Sequence, residues 1–311
     1  MFQGHLKKKN YFEGWFLKHC STDQGKVISV IPGIALNSTD SHAFIQIIDG
    51  ISGKTQYIPY PVETFQWDRR NFKIQVGHSS FSLEGISLNI KHESMELTGE
   101  VDYINPVRYP GTLLSPGIMG WYSYVPFMEC YHGIVSANHD LLGKLTFNHK
   151  EIDFSGGKGY IEKDWGTSFP EAWIWLQCNH FSTKDASLFI SIAKIPWLGK
   201  FFMGFIAFLY LDGKYHQFST YNHSRISQIS FNGEELSIEI KHKSHTLKTR
   251  VKKNSAGELK APETGNMSRR IKESNDSVVE VTLLENNKPV IFQETGQRAG
   301  LEIVDKIFNY L

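Results

Sequence analysis

Asp49-Gly50, Asp212-Gly213 and Asn232-Gly233 separate runs in which apolar and polar residues alternate, and no other feature restricts the fold as much. Asp-Gly and Asn-Gly readily take the positive φ of a two-residue hairpin turn, and alternation is the period of a half-buried strand. The runs include VETFQW, NFKIQV, ISLNIK, MELTGEV, ISFNGEELSIEIKHK and VVEVTLL, with further breaks at Ser255-Ala256-Gly257 and Asn286-Asn287. Helical periodicity is confined to LEIVDKIFNYL (301–311), so at most a short C-terminal helix is expected. The chain therefore reads as all-β, built from antiparallel meanders. A single barrel rarely exceeds ~250 residues, so 311 residues predict two consecutive β-barrel lobes. The break is placed at Ser155-Gly156-Gly157, giving lobes 1–155 and 156–311.

Two stretches interrupt the pattern. Residues 104–127 hold Pro106, Pro110, Pro116 and Pro126, which a central strand does not accept, together with Met119, Trp121, Tyr122 and Tyr124. A long ordered loop of this kind is often functional; closing a barrel end is the plainer role. Residues 252–274, with Arg269 and Arg270, read as a second loop.

A net charge of +1 gives no electrostatic reason to expect nucleic acid. Three cysteines without a CxxC pair fit a reducing compartment, and no apolar leader is visible at the N-terminus. The most apolar run, WLGKFFMGFIAFLYL (197–211), contains Lys200 and is shorter than the ~20 residues of a spanning helix. A cytoplasmic location follows, with room for peripheral contact with a membrane and with oligomeric state open. Nucleotide loops, serine-hydrolase elbows and HExxH are absent, so neither cofactor nor metal is expected.

Aromatic residues make up 13% of the chain, enough to line a roomy apolar pocket. They are densest in KDWGTSFPEAWIWLQCNHF (163–181). As a strand, its second half puts Trp173, Trp175, Gln177 and Asn179 on one face and Ile174, Leu176, Cys178 and His180 on the other. Aromatic walls with a few directed amides describe a ligand site; buried amides at a domain interface are the competing reading. Asp164, beside Trp165 at the edge of an apolar cavity, would have its neutral form favoured and could donate a proton. A turn cap or a salt bridge to Lys163 or an arginine is its plainer role. YFEGWF (11–16) repeats the theme, with Tyr11, Glu13 and Trp15 on one face and Glu13 as a second acid. Glu129 is a third; His132, three residues on, would point to the opposite face.

YFEGWF, SPGIMGWYSYVPFMECYHGIVS, KDWGTSFPEAWIWLQCNHF and APETGNMSRRIKES with AGLEIV, in this order, resemble the tocopherol cyclase family. The resemblance implies tandem lipocalin-like lobes, as in the related carotenoid 1,2-hydratase (hydroxyneurosporene synthase) superfamily, and a hydrophobic small-molecule ligand at a barrel mouth or lobe junction. Gly14 and Trp15 are adjacent, a departure from the GxW of ordinary lipocalins. The implied activity is a cofactor-independent cyclase of intramolecular lyase or isomerase type: acid-catalysed cyclisation, hydration or isomerisation of a prenylated quinol or related isoprenoid. Asp164 or Glu13 would be the acid. Trp15, Trp165, Trp173 and Trp175 would face the cation, and Tyr11, Gln177 and Asn179 would orient the phenol. Trp121, Glu129, His132 and Arg269 complete the expected substrate-binding set. The alternative is a non-catalytic carrier of an apolar molecule.

Overall fold

A computed structural model describes residues 1–311 apart from Ser94, Leu198 and Asp305. Among the described residues there is no α-helix, only antiparallel strands and four short 3-10 turns. The chain forms two compact units, Met1–Phe169 with Glu258–Arg270, and Pro170–Gly257 with Ile271–Leu311.

The first sheet holds β1 (Tyr11–Cys20), β2 (Val27–Leu36), β3 (His42–Asp49), β4 (Thr55–Pro61), β5 (Gln66–Trp67), β6 (Lys73–Val76), β7 (Ser79–Ser82), β8 (Gly85–His92), β9 (Met95–Ile104), β10 (Cys130–Phe147), β11 (Lys150–Asp153) and β12 (Lys158–Gly166). The second holds β13 (Trp173–Cys178), β14 (Ser187–Trp197), β15 (Lys200–Leu211), β16 (Lys214–Ser219), β17 (Arg225–Phe231), β18 (Glu235–His242), β19 (His245–Lys252), β20 (Gly257–Glu263), β21 (Asn266–Glu285) and β22 (Phe292–Val304).

The two sheets share one plan. The first runs β4-β3-β2-β1-β12-β10-β9-β8-β7-β6-β5, and the second β16-β15-β14-β13-β22-β21-β19-β18-β17. In each, a four-strand meander is joined at its first strand by the last strand of the sheet, which in turn pairs with a long bulged strand. The bulges fall at Ile134–His139 of β10 and Ser274–Val279 of β21, where extra residues bend the strand and shift register.

Alternation sets the interiors. In the first unit Tyr11, Trp15, Leu17, Ile28, Val30, Ile34, Val101 and Ile161 pack inward. In the second, Ile174, Leu176, Cys178, Leu188, Ile190 and Leu301 do so.

The sequence expectations need three adjustments. The break after residue 155 falls within the first sheet, because β12 pairs with β1 and β10; the unit boundary lies at Phe169. Residues 252–274 are mostly strand rather than loop: only 253–256 are irregular, before β20 and the start of β21, and Thr264 and Gly265, both at positive φ, turn the hairpin. Leu301–Val304 end β22 instead of starting a helix, and only Ile307–Asn309 form a 3-10 turn.

A polar cluster is sealed inside the first unit. His19 Nδ1 donates to Ile28 O (3.1 Å), its Nε2 accepts from Tyr103 Oη (2.6 Å), and the Tyr103 ring lies tilted by 44° against His139 at 4.3 Å between ring centres. Gly159 lies across from both histidines, and a Cβ there would come within 2.2 Å of His139 Nε2. Burial pushes His19 down to about 4 and His139 well below the usual imidazole range. Both rings are thus neutral in the fold but gain protons on unfolding below about pH 6.5. Stability is therefore retained above pH 6.5 and falls as pH drops toward 4, by about 3 kcal/mol from His19 alone. Urea midpoints should fall between pH 7 and 4.5, and His19→Gln should flatten that slope.

Candidate functional site

β1, β12 and β10 lie side by side, and their register determines which side chains meet. Glu13 is opposite Trp165, Trp15 opposite Lys163, and Gly14 opposite Asp164. Adjacent residues point to opposite faces. Tyr11, Glu13, Trp15, Lys163 and Trp165 therefore share one face, and Asp164 lies on the other with Glu162 and Tyr160.

On the first face the Glu13 carboxylate is fully buried. It accepts hydrogen bonds from Tyr11 Oη (2.5 Å), Lys163 Nζ (3.0 Å), Gln3 N (2.8 Å) and Gly4 N (3.2 Å). All four contacts are incoming donors, the coordination of an ionised carboxylate. Lys163 also sits over the rings of Trp165 (4.1 Å) and Trp15 (5.8 Å) and donates to Met1 O (2.9 Å). Burial lowers the Lys163 pKa, while Glu13 acts in the opposite direction. The faces expected to stabilise a substrate cation thus already serve a resident ammonium. The structure does not bring Glu13 and Asp164 together: they are on opposite sides of one sheet.

On the second face Asp164 pairs with His132 of β10, its direct cross-strand neighbour. His132 Nδ1 is 2.6 Å from Asp164 Oδ1, and Nε2 is 3.7 Å from Glu162 Oε2, which accepts from Tyr160 Oη at 2.6 Å. Burial alone would lower the His132 pKa. The Asp164 and Glu162 charges and the Asp164 hydrogen bond overcome this and raise it to about 9. His132 is therefore an imidazolium at neutral pH, and Nδ1–H donates to Asp164. Side-chain exposures of 13% for His132 and 20% for Asp164 leave both within reach of a ligand, whereas Glu162 is at 6%. The ligand atoms of these three residues lie within 4.8 Å of one another, the only such triad among the described residues, and close enough for one cation to bridge.

β10 also anchors the loop between β9 and β10. His132 N donates to Met119 Sδ (3.0 Å), Tyr131 Oη to Val125 O (2.7 Å), and Thr167 N to Glu129 O (2.9 Å). Trp121 is 47% exposed on the 3-10 turn Gly120–Tyr124. Glu129 is half-buried and contributes its carbonyl to the turn after β12, and its charge raises the Cys130 pKa after burial and Asp164. His132 joins Asp164 and Glu162 instead of Glu129. Arg269 is half-buried on β21 in the segment belonging to the first unit.

In the second unit Trp173, Trp175, Gln177 and Asn179 do share the face opposite Ile174, Leu176 and Cys178, and all four are buried. Trp173 Nε1 donates to Glu302 Oε2 (2.5 Å), and Gln177 Nε2 to Asn179 Oδ1 (3.3 Å). Glu302 of β22 is opposite Glu273 of β21, and Asn275 Nδ2 donates to Glu273 Oε1 (2.6 Å). Glu302 and Glu273 are buried acids that sequence reasoning missed, as it missed Glu162. Glu162 and Glu302 hold equivalent places, on the last strand of each sheet with an aromatic donor two strand positions or one strand away. Alternation in GYIEKDW and AGLEIV puts each glutamate opposite the apolar face, and this was the available signal. A cavity of about 530 Å³ between β17, β18 and β19 is lined by Arg225, Lys241, Lys243 and Lys248 with Glu239 and does not suit an apolar ligand.

Fold and site define a tandem lipocalin-like β protein with a charged triad on the sheet face opposite its first apolar interior. The chain belongs to the tocopherol cyclase-like family, whose model matches residues 89–304. It is 30% identical over 103 residues to a probable chloroplastic tocopherol cyclase of Oryza sativa subsp. japonica and 31% identical over 74 residues to the chloroplastic tocopherol cyclase of Zea mays. These matches cover 32% and 24% of this chain, and only 22% and 16% of the plant proteins. Among solved structures it is similar to CghA with Sch210972 (TM-score 0.62, 12% identity, 95% of this chain and 89% of that one). It is also similar to kievitone hydratase from Nectria haematococca (TM-score 0.52, 10% identity, 97% and 93%). These likenesses establish the lipocalin-like fold. No helix of the described residues is long and apolar enough to cross a membrane.

Proposed function

We propose that the chain is a cofactor-independent cyclase or hydratase acting on a prenylated quinol or related isoprenoid lipid. The observation that carries this reading is the buried His132–Asp164 pair, at 2.6 Å, with Glu162 3.7 Å from the other ring nitrogen. The pair keeps a proton available at neutral pH, where a general acid must hold one. Transfer of that proton to one carbon of a trisubstituted alkene leaves a tertiary cation on the other. Two carboxylates beside one histidine make the site acid-rich and favour a nearby positive charge. Capture by the substrate's own phenol oxygen forms the C–O bond, and the phenolic proton returns to the pair, so the product is an isomer. Capture by water gives the hydrated product instead. Family membership and the names of the relatives, tocopherol cyclase and kievitone hydratase, support the same chemistry.

Incubation with a prenylated hydroquinone in deuterated water tests this. The expected product has the substrate's composition, or one added water, and carries one deuterium on the former alkene. Recovery of the lipid bound but unchanged would identify a carrier instead.

A further inference from the structure

The loop between β9 and β10 exposes large apolar side chains in a manner the proposed chemistry does not explain. Leu113 is 90% exposed, Leu114 84%, Phe127 98%, Tyr124 61% and Trp121 47%. Tyr124 Oη donates to Leu113 O, and Trp121 stacks on Tyr122, so the two limbs of the loop form one patch. The exposure is built into the backbone. Pro106, Pro110, Pro116 and Pro126 restrict it, and Val107 pairs with Asn138 and Ala137 of β10 (both 2.8 Å). Met119 and Val125 are tied to His132 and Tyr131. Phe127 has φ of 63°, a region that bulky side chains avoid.

From these features we infer that residues 105–128 dock on a lipid surface, seating Leu113, Leu114 and Phe127 among acyl chains with Trp121 and Tyr124 at the headgroup level. Charge favours this occupant. Between Asp102 and Glu129 the sequence contains no carboxylate, so the segment carries nothing that phosphate headgroups would repel. Trp and Tyr are the residues that settle where apolar and wet layers meet. The exposed apolar area is on the order of 600 Å², large for a monomer but short of the ~800 Å² per partner of a stable protein interface. The inference rests on the proposed function only in explaining why a lipid-using enzyme would carry such a loop; the loop's hold on His132 places docking next to the triad.

Flotation with vesicles of phosphatidylcholine and phosphatidylglycerol (3:1) tests it without turnover. The wild-type chain should float, its Trp fluorescence should shift to the blue, and Leu113→Glu/Leu114→Glu and Phe127→Glu should each cut partitioning at least tenfold with unchanged circular dichroism. A wild-type chain that does not float, or glutamate variants that float equally well, overturns the inference. So does wild-type self-association in sedimentation velocity that the glutamate variants abolish. Flotation without any conversion of quinol would sink the proposed function and leave the docking loop standing.

Discussion

Asp164→Asn lowers turnover of a prenylated quinol by roughly 10²–10⁴-fold, the usual contribution of a positioned acid–base group. The asparagine keeps the shape but removes the charge that, with Glu162, raises His132 to about 9. With that charge gone, burial is opposed only by Glu162 and the His132 pKa falls, so less of the enzyme is protonated at neutral pH. In the native chain the His132 proton is present below pH 6.5 in both folded and unfolded states and is retained by the folded state up to about 9. His132 therefore adds stability below pH 6.5 that is lost as pH rises through 9. Activity should follow the same alkaline limb, and in Asp164→Asn the residual activity should lose it at lower pH. His132→Gln should remove the limb altogether. Retained turnover in both variants would dismiss the pair as the proton source.

Glu13→Gln, by contrast, destabilises by about 3–5 kcal/mol while turnover per folded molecule stays near wild type. Removing one member of a buried ion pair leaves the other uncompensated, which is the costly case. Here Lys163 would keep only Met1 O and the two indole faces. Lys163→Met should cost a similar amount. The double variant should recover part of the loss, because no buried charge then stands alone. Urea denaturation of the three variants measures the cycle, and an activity loss as large as that of Asp164→Asn would return Glu13 to the catalytic set.

What the sequence revealed follows from the range over which each signal acts. Turn dipeptides and alternation are local, so the antiparallel sheets were readable, as was the split of Trp173, Trp175, Gln177 and Asn179 from Ile174, Leu176 and Cys178. The same alternation in YIEKDW already divided Glu162 and Asp164 from Lys163 and Trp165. Which strands pair is not local. His132 meets Asp164 across 32 residues of chain because β12 comes back to pair with β10, and no periodicity announces that pairing. The short-range comparison of Glu129 with His132 therefore looked for a partner in the wrong strand. The likeness of the two sheets was invisible for a related reason: topology is shared, but the residues that build it differ. Residues 252–274 misled because Pro262 and Thr264-Gly265 look like a loop, yet the proline lies near the end of β20 and the pair makes only a tight turn.

The short hairpin 258–270 has a consequence for how the chain is made. It belongs to the first unit, where Lys260 N donates to Gln46 Oε1 (2.8 Å), Thr55 Oγ1 to Glu258 O (2.7 Å) and Gly265 N to Thr167 O (2.7 Å). Domains commonly fold in order as they leave the ribosome. This chain breaks that order: its first half stays unfinished until nearly ninety further residues have been synthesised, from Pro170 to Gly257. Completion of the first unit is thus coupled to the birth of the second, and a stop at residue 169 would leave the Gln46 side chain and Thr55 on the edge strand β4 without the partners they were built for.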